Sequence, residues 1–280
     1  MNKAVTVATM RESDAWTIAN KIPSKELMRR AGEGIFQSAD WKEPIAIVCG
    51  SGNNAGDGYV VADLLHKENK DVTIVLLSSK FSEDGKYYFD ICKENHIPFV
   101  CFSTDSGSTN RTKPDFSGLV SEGESSVFFC NSTRDSDFAC NAEASVCFVD
   151  NATDNAGSDS AIRTMDEAVS PDSQQTISDF QGFATILDCI LGTGFEGEPR
   201  DPAKTAINAI NNSDAYIISA DINSGLNGDT GLGTTYVKSD LTVSIGDYKL
   251  CHFKGLADSA MKEKVNVDIG IEIQGDYIWI

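Results

Sequence analysis

The sequence predicts an α/β protein, a Rossmann-like three-layer α/β/α sandwich around a mostly parallel sheet. Two observations lead to this prediction. Short apolar runs alternate along the chain with segments whose apolar residues recur at helical spacing. Several of the short runs, such as 72–77, are apolar and β-branched almost throughout, which is typical of parallel strands that are covered on both faces.

The elements follow in a regular order, with one long interruption. Helices are predicted at 9–20, 24–40, 57–68, 82–95 and 202–211, and Ser24 is a candidate N-cap for the second. Strands are predicted at 44–49, 72–77, 98–102, from 184, and at 215–220, 239–246 and 264–270. The apolar tail at 277–280 is expected to dock on the domain or on a partner.

The interruption at 105–179 is rich in Ser, Asp, Asn and Thr. It carries 14 acidic and 4 basic residues, a net charge of −10 out of −19 for the chain. We interpret it as an acidic low-complexity insertion into one domain that spans 1–280. It is either disordered or a small subdomain, in which apolar islands at 126–131 and 145–151 could pair as strands. A solvated insertion without a catalytic role is the favoured interpretation.

Composition excludes several classes of protein. A net charge of −19 argues against nucleic-acid and anionic-membrane binding. No apolar run approaches the roughly 20 residues of a membrane helix, and the N-terminus does not resemble a signal peptide, so a cytoplasmic location is expected. The eight cysteines form no Cys-x-x-Cys pair, which predicts structural thiols in a reducing compartment rather than a zinc site.

Three polar loops, 50–57, 188–197 and 221–230, follow three predicted strands. The first joins a strand to a helix, where unpaired N–H groups attract phosphate. A plain turn, with glycines at positive φ and Asp57 as N-cap, explains that loop equally well. Because ligands bind outside the carboxyl ends of parallel strands, the three loops are expected to line one crevice.

The crevice is expected to be rich in oxygen donors, a composition that suits a hard cation. Taken singly, its residues have ordinary structural explanations. Lys249 and Lys254, for example, fit surface charges. The expected oxygen donors are Asn53, Asn54, Asp57, Asp188, Thr193, Asp221 and Ser224.

The three loops resemble motifs of the NAD(P)H-hydrate epimerases, the YjeF N-terminal domain family. The resemblance lies in 49–58, in 188–195 and in 221–226, and the opening with Met10, Arg11 and Asp14 and the segment 27–32 also match. It covers roughly 1–103 and 181–273 and leaves 105–179 outside. Ala55, Ser51 and Asn223 depart from the family pattern, as does Arg30, without removing a proposed functional side chain.

The resemblance implies a site for K⁺, one ion per subunit, with Asn54, Asp188 and Ser224 as ligands. It also implies NADHX or NADPHX, the hydrated forms of the reduced nicotinamide nucleotides, as substrate. Lys80 stands where the family has a lysine implicated in catalysis. The implied substrate contacts are Asn53, Asn54, Ala55, Gly56, Asp57, Gly192, Thr193, Gly194, Phe195, Glu196, Gly197, Glu198 and Asp221.

The implied activity is that of an isomerase, which interconverts the R and S forms of the hydrate at nicotinamide C6. One route expels the hydroxyl group and adds water to the other face, with Asp188 as first candidate for the acid or base and Lys80 as partner. A separate S-specific dehydratase is expected as functional partner, and a homodimer is compatible with the sequence. The alternative is a non-catalytic nucleotide-binding or scaffold module of the same fold. A redox dehydrogenase is disfavoured because the first loop lacks the Gly-x-Gly-x-x-Gly pattern.

Overall fold

The computed structural model describes residues 2–104 and 176–280. The two apolar islands and most of the predicted insertion lie outside the described residues. The helices are α1 (Val7–Asn20), α2 (Ser24–Gln37), α3 (Asn53–Lys67), α4 (Glu83–Glu94), α5 (Ala203–Asn211) and α6 (Ala257–Ala260). The strands are β1 (Lys3–Ala4), β2 (Ile45–Cys49), β3 (Val72–Leu76), β4 (Phe99–Phe102), β5 (Thr176–Ile177), β6 (Thr185–Cys189), β7 (Tyr216–Ala220), β8 (Ser239–Ile245), β9 (Met261–Val267) and β10 (Ile278–Trp279).

Strands β2 to β9 form one sheet of eight parallel strands in the order β5-β4-β3-β2-β6-β7-β8-β9. The chain builds outward from β2 to one edge, returns to the centre at β6, and then builds outward to the other edge. Strand order therefore reverses between β2 and β6, which pair directly. A reversal of this kind is where open α/β sheets bind ligands.

Both faces of the sheet are covered, which confirms the predicted three-layer fold. All five residues of β2 are buried. Ile45, Ile47 and Cys49 pack in a core with α2, α3 and α4, whereas Ala46 and Val48 pack in a second core with α5. Since successive side chains of a strand point to opposite faces, a strand buried on both sides is apolar throughout.

Helix α3 begins at Asn53, four residues before the predicted start, and its N-cap is Gly52. The interpretation of Asp57 as an N-cap is therefore wrong. None of the glycines from 50 to 58 has a positive φ, so they do not serve a left-handed turn either. Gly50, Gly56 and Gly58 serve close packing instead: a Cβ on Gly58, for example, would lie 2.9 Å from Sγ of Cys189.

Helix α2 also begins differently from the prediction. Pro23 occupies the N-cap position with extended backbone, and Ser24 is the first helical residue. No side-chain hydrogen bond caps this end. Pro23, whose ring fixes φ, already supplies the non-helical residue that precedes the first turn.

Residues at the two chain ends and residues 176–180 are part of the same domain. β10 pairs antiparallel with β1, so the C-terminal tail docks on its own domain. Thr176–Ile177, at the end of the predicted insertion, form β5 beside β4. Phe180 stacks on Phe102 with ring centroids 5.6 Å apart. The sheet thus resumes before residue 179.

The thiols agree with their predicted structural role where they can be observed. Cys49, Cys92, Cys189 and Cys251 are free thiols and are buried, and Cys101 is half-buried. Within 2–104 and 176–280, no helix has the length and apolar character needed to cross a bilayer.

Candidate active site

A cavity of about 680 Å³ opens at the carboxyl ends of β2 and β6. Cys49 and Cys189, the last residues of these strands, are paired in register. The segments 50–52 and 190–196 consequently leave the sheet side by side, and the N–H of Gly50 donates to the carbonyl of Cys189 at 3.2 Å. Residues from α1, α2, α3 and α4 and from the segments at 221, 245–249 and 269–271 complete the lining. The cavity therefore lies at the point where strand order reverses.

Gly50 permits this close approach of the two segments. A Cβ at this position would lie 2.1 Å from the carbonyl oxygen of Ile190. Gly52, two residues further on, has nothing within 4 Å of the equivalent point. The first glycine is thus required by the backbone that it faces, and the second is not.

The cavity brings together most of the predicted substrate contacts. From the third predicted loop, 221–230, only Asp221 lies in the described lining. Ala55 packs in the apolar core instead, so its extra methyl group does not face the cavity. The predicted contacts in the lining are Asn53, Asn54, Asp57, Gly192, Thr193, Gly194, Phe195, Glu196 and Asp221. The predicted residues outside it are Lys80, Ala55, Gly56, Asp188, Gly197, Glu198 and Ser224.

Asp188 is fully buried at the end of β6, behind the cavity wall. Its Oδ2 accepts hydrogen bonds from Ser219 Oγ and Ser224 N, both at 2.9 Å. Its Oδ1 accepts from Ser224 Oγ at 2.5 Å and from Ile190 N at 3.2 Å. Burial raises the pKa of Asp188, and the hydrogen bonds from Ser224, Ile190 and Ser219 oppose that rise. Four donors occupy the four acceptor positions of this carboxylate.

Asn54 and Ser224 meet at Leu191. The amide of Asn54 donates from Nδ2 to the carbonyl of Leu191 at 3.2 Å, and the N–H of Leu191 donates to Ser224 Oγ at 2.8 Å. Oδ1 of Asn54 is buried and has no hydrogen-bond partner among the described residues. An unpaired buried acceptor is costly, and a cation is one means of satisfying it. These oxygen atoms are therefore suited to a hard cation.

A buried lysine lies on the far wall of the cavity. Lys249 is 1% exposed, forms an ion pair with Asp221, and donates to the carbonyl of Ile245 at 2.6 Å. The interpretation of Lys249 as a surface charge is wrong. Its burial depends on Asp221, which is distant in sequence, and its own neighbours in the chain give no sign of it.

His252 supports this ion pair from behind. The backbone N–H of Lys249 donates to His252 Nδ1 at 3.0 Å, which leaves the hydrogen on Nε2 to donate to the carbonyl of Asp221 at 2.9 Å. This network assigns the tautomer. Burial, together with the charge of Lys249, lowers the pKa of His252 to about 4, so the ring is neutral near pH 7.

Four further carboxyl groups line the cavity, those of Asp14, Asp57, Asp84 and Glu196. Burial and the charge of Asp221 raise the pKa of Asp14 to about 6, against the opposing charge of Lys249. Burial raises the pKa of Asp57 well above its usual range, and Asp221 and Asp14 raise it further. Sequence reasoning gave Asp14 no role, although it noted this residue in the N-terminal motif.

These features define a class of protein: a Rossmann-like α/β protein with a ligand cavity at its switch point. The chain belongs to the family described as YjeF-related protein N-terminus, whose model matches residues 24–121 and 139–251. This match enters 105–179 from both sides, so the resemblance reaches further than the motifs indicated. The average composition of 105–179 does not reveal its individual apolar positions, whereas a family model scores each position separately. That 105–179 is an insertion stays a prediction.

Relatives and a solved structure agree with this assignment. An NAD(P)H-hydrate epimerase of Lentilactobacillus buchneri is 29% identical, over 97% of this chain and 96% of its own. A bifunctional NAD(P)H-hydrate repair enzyme of Coxiella burnetii is 25% identical over 84% of this chain, which spans only 35% of that protein. The crystal structure of yeast ynu0 shares the fold, with a TM-score of 0.56 at 17% identity over 94% of this chain and 87% of its own.

Proposed function

We propose that this protein interconverts the R and S forms of hydrated NADH or NADPH at nicotinamide C6. The observation that carries the proposal is a cavity at the switch point in which Asp14 and Asp57 are free of hydrogen bonds from described residues. A non-catalytic binding module has no need to keep an unpaired carboxylate such as Asp14 facing its ligand, because a negative charge repels phosphate. The end-to-end similarity to an NAD(P)H-hydrate epimerase supports the same choice.

The chemistry requires one bond to break and form again at C6. The ring nitrogen N1 supplies an electron pair as the C6–O bond breaks, and the hydroxyl group takes a proton to leave as water. Water then adds to the opposite face and loses a proton. No electrons are gained or lost overall, so the protein has to supply an acid, a base and a cavity that holds the flat ring.

Asp188 has a different part in this scheme from the one first predicted. Its carboxylate accepts four hydrogen bonds and lies behind the cavity wall. We therefore propose that Asp188 holds the segments at Ile190 and Ser224 in place. Lys80 is exposed and lies outside the described lining, so we assign no step to it.

We propose a K⁺ ion beside Leu191, with Asn54 Oδ1 as a direct ligand and Ser224 Oγ next to it. The orphaned oxygen of Asn54 supports this placement. Asp188 would hold Ser224 in position and contribute negative charge from behind. When bound, the ion supplies a fixed positive charge near the substrate phosphates or the leaving oxygen. Asn54 and Ser224 orient that charge through their shared contact with Leu191.

An S-specific dehydratase is the proposed functional partner. The chain spans about a third of the length of two bifunctional relatives, 35% of one and 31% of the other. Their name describes repair of the hydrate, and a dehydratase would consume the S form that the epimerase produces. A separate dehydratase chain, a homodimer, a cytoplasmic location and the choice between NADHX and NADPHX stay predictions.

A coupled assay tests the proposed function. The purified protein is mixed with (R)-NADHX and an S-specific dehydratase, and the recovery of NADH is followed by its absorbance. We expect recovery to accelerate in proportion to the concentration of this protein. A parallel reaction with (S)-NADHX shows that the dehydratase is active. No acceleration with the R form in that setting would contradict the epimerase assignment and leave the binding module.

A further inference from the structure

Asp14 is a carboxyl group of the cavity that the fold itself does not use. It lies in α1 and is half-buried, and no described residue donates a hydrogen bond to it. Asp188, by contrast, is held by four hydrogen bonds. A carboxyl group that is partly removed from water and left without a partner is costly. A function in binding or transforming a ligand explains why this position carries a carboxyl group.

Helix α1 holds Asp14 firmly against the cavity. Ser13 Oγ accepts a hydrogen bond from Gln274 N at 2.9 Å, and Thr17 Oγ1 accepts from Glu272 N at 3.1 Å. Arg11 donates to the carbonyl of Thr193 at 3.0 Å, which ties the helix to the glycine-rich segment. A group that acts on a bound substrate needs this kind of support from its surroundings.

The charges that face Asp14 come from every neighbouring element. Asp57 lies in α3, Asp221 follows β7, Lys249 follows β8, and Arg11 lies one turn earlier in α1. Lys249 is already paired with Asp221. Asp84, in α4, and Glu196, after β6, also line the cavity and form no ion pair with a described residue. Of the lining carboxyl groups without a cationic partner, Asp14 and Asp57 are the two whose pKa values burial raises.

The two carboxyl groups differ in how readily they hold a proton. Asp57 is almost fully buried, and burial raises its pKa well above the usual range, which favours the protonated form. The pKa of Asp14 is raised to about 6, so this group is mostly ionised near pH 7. Two carboxyl groups with separated pKa values are the arrangement that divides the roles of acid and base.

We propose that Asp14 is a catalytic residue that accepts the proton of the water adding to C6, while Asp57 protonates the departing hydroxyl group. This inference rests on the proposed epimerase function. In one direction the C6–O bond breaks as Asp57 gives its proton to the oxygen, and the N1 electron pair forms a C6–N1 double bond. Water then forms a new C6–O bond on the opposite face, the electron pair returns to N1, and Asp14 takes the released proton. In the reverse direction the two groups exchange roles, and solvent restores their protons between turnovers.

The test compares Asp14→Asn with Glu12→Gln, which removes an exposed carboxylate from the same helix outside the cavity lining. Asp14→Asn should lower kcat by at least about 100-fold with little change in KM. Glu12→Gln should retain wild-type kinetics. The wild-type rate should increase with pH as a group with a pKa of about 6 loses its proton. This rising limb of the pH–rate profile should be absent from the residual activity of Asp14→Asn.

Asp14→Glu provides a second readout, because it keeps the carboxyl group at a changed distance. It should recover part of the lost rate and restore the pH limb, whereas a merely structural role would not restore that limb. Circular dichroism of each variant verifies folding. A wild-type protein without activity would contradict the proposed function itself. An active wild type with Asp14→Asn within threefold of its kcat would contradict the role of Asp14 alone.

Discussion

Lys249 and Asp221 form an ion pair on the inner wall of the cavity, and the lysine side chain is almost completely enclosed. The two side chains are 1% and 14% exposed. Asp221 follows β7 and Lys249 follows β8, so the pair joins the ends of neighbouring strands. Lys249 also reaches the carbonyl of Ile245. The pair is therefore part of the fold as well as of the cavity.

Loss of the Lys249 charge should destabilise the protein strongly. Lys249→Met leaves Asp221 without its counter-ion, and breaking a buried pair in this way costs about 3–5 kcal/mol. Urea unfolding near pH 7 measures the change. Lys254→Met is the matched control, because Lys254 is exposed and should change the free energy of unfolding by less than about 0.5 kcal/mol. Equal losses in the two variants would contradict this role of Lys249.

The two glycines that follow β2 should differ in their tolerance of alanine. Gly50→Ala places a Cβ 2.1 Å from the carbonyl oxygen of Ile190, whereas Gly52→Ala meets nothing within 4 Å. Because the obstacle at Gly50 is backbone, β2 and β6 must shift apart, at a cost of about 1–3 kcal/mol or more. Thermal unfolding should show a large loss for Gly50→Ala and little change for Gly52→Ala. Similar midpoints for both variants would show that the two segments can separate freely.

Asp14 should make the protein less stable as pH rises. Its pKa increases from 3.8 in the unfolded chain to about 6 in the folded protein, so the folded state binds the proton more tightly. The stabilisation that comes from this tighter proton binding is fully present below pH 3.8 and is lost as pH rises through 6. Asp14→Asn should therefore increase the free energy of unfolding at pH 7 by about 1–3 kcal/mol. The gain should shrink at pH 4, where the folded wild type is largely protonated.

Urea titrations of Asp14→Asn at the two pH values measure this difference. Glu12→Gln, on the exposed side of the same helix, should show no such gain. A stabilising variant that is also inactive would fit a residue kept for chemistry at a cost in stability. An Asn variant that is less stable than wild type at pH 7 would contradict the electrostatic account.

Potassium should stabilise the protein through Asn54. An ion that binds only the folded state raises the free energy of unfolding by about 2.7 kcal/mol at 100 times its dissociation constant. The melting temperature should increase more with KCl than with choline chloride at equal ionic strength. Asn54→Ala should remove that difference, whereas Asn53→Ala, at an exposed neighbouring position, should retain it. A KCl effect that persists in Asn54→Ala would exclude this residue as the ligand.

Much of the fold could be predicted from the sequence, for a simple physical reason. Strands buried on both faces, such as β2 and β6, are marked by apolar runs whatever their neighbours are. Since the carboxyl ends of parallel strands meet at one edge, the convergence of 51–54, 190–196 and Asp221 on one cavity also followed from the pattern. Local periodicity and the geometry of parallel sheets suffice for these conclusions.

Only the tertiary structure decided how the charged residues are used. The Asp188 carboxylate accepts hydrogen bonds from Ile190, Ser219 and Ser224 behind the cavity wall, so its position in a motif did not reveal that its acceptor positions are occupied. Lys249 is buried because Asp221 neutralises it, and Asp14 reaches the cavity because α1 contacts loop segments more than 170 residues away, at Thr193 and at Glu272. Electrostatic partners are close in the fold but distant in sequence, so the residues next to a charged side chain do not indicate which group it will face. The sequence alone therefore determined the fold and the place of the cavity, and the packing of distant segments decided which charged groups face it.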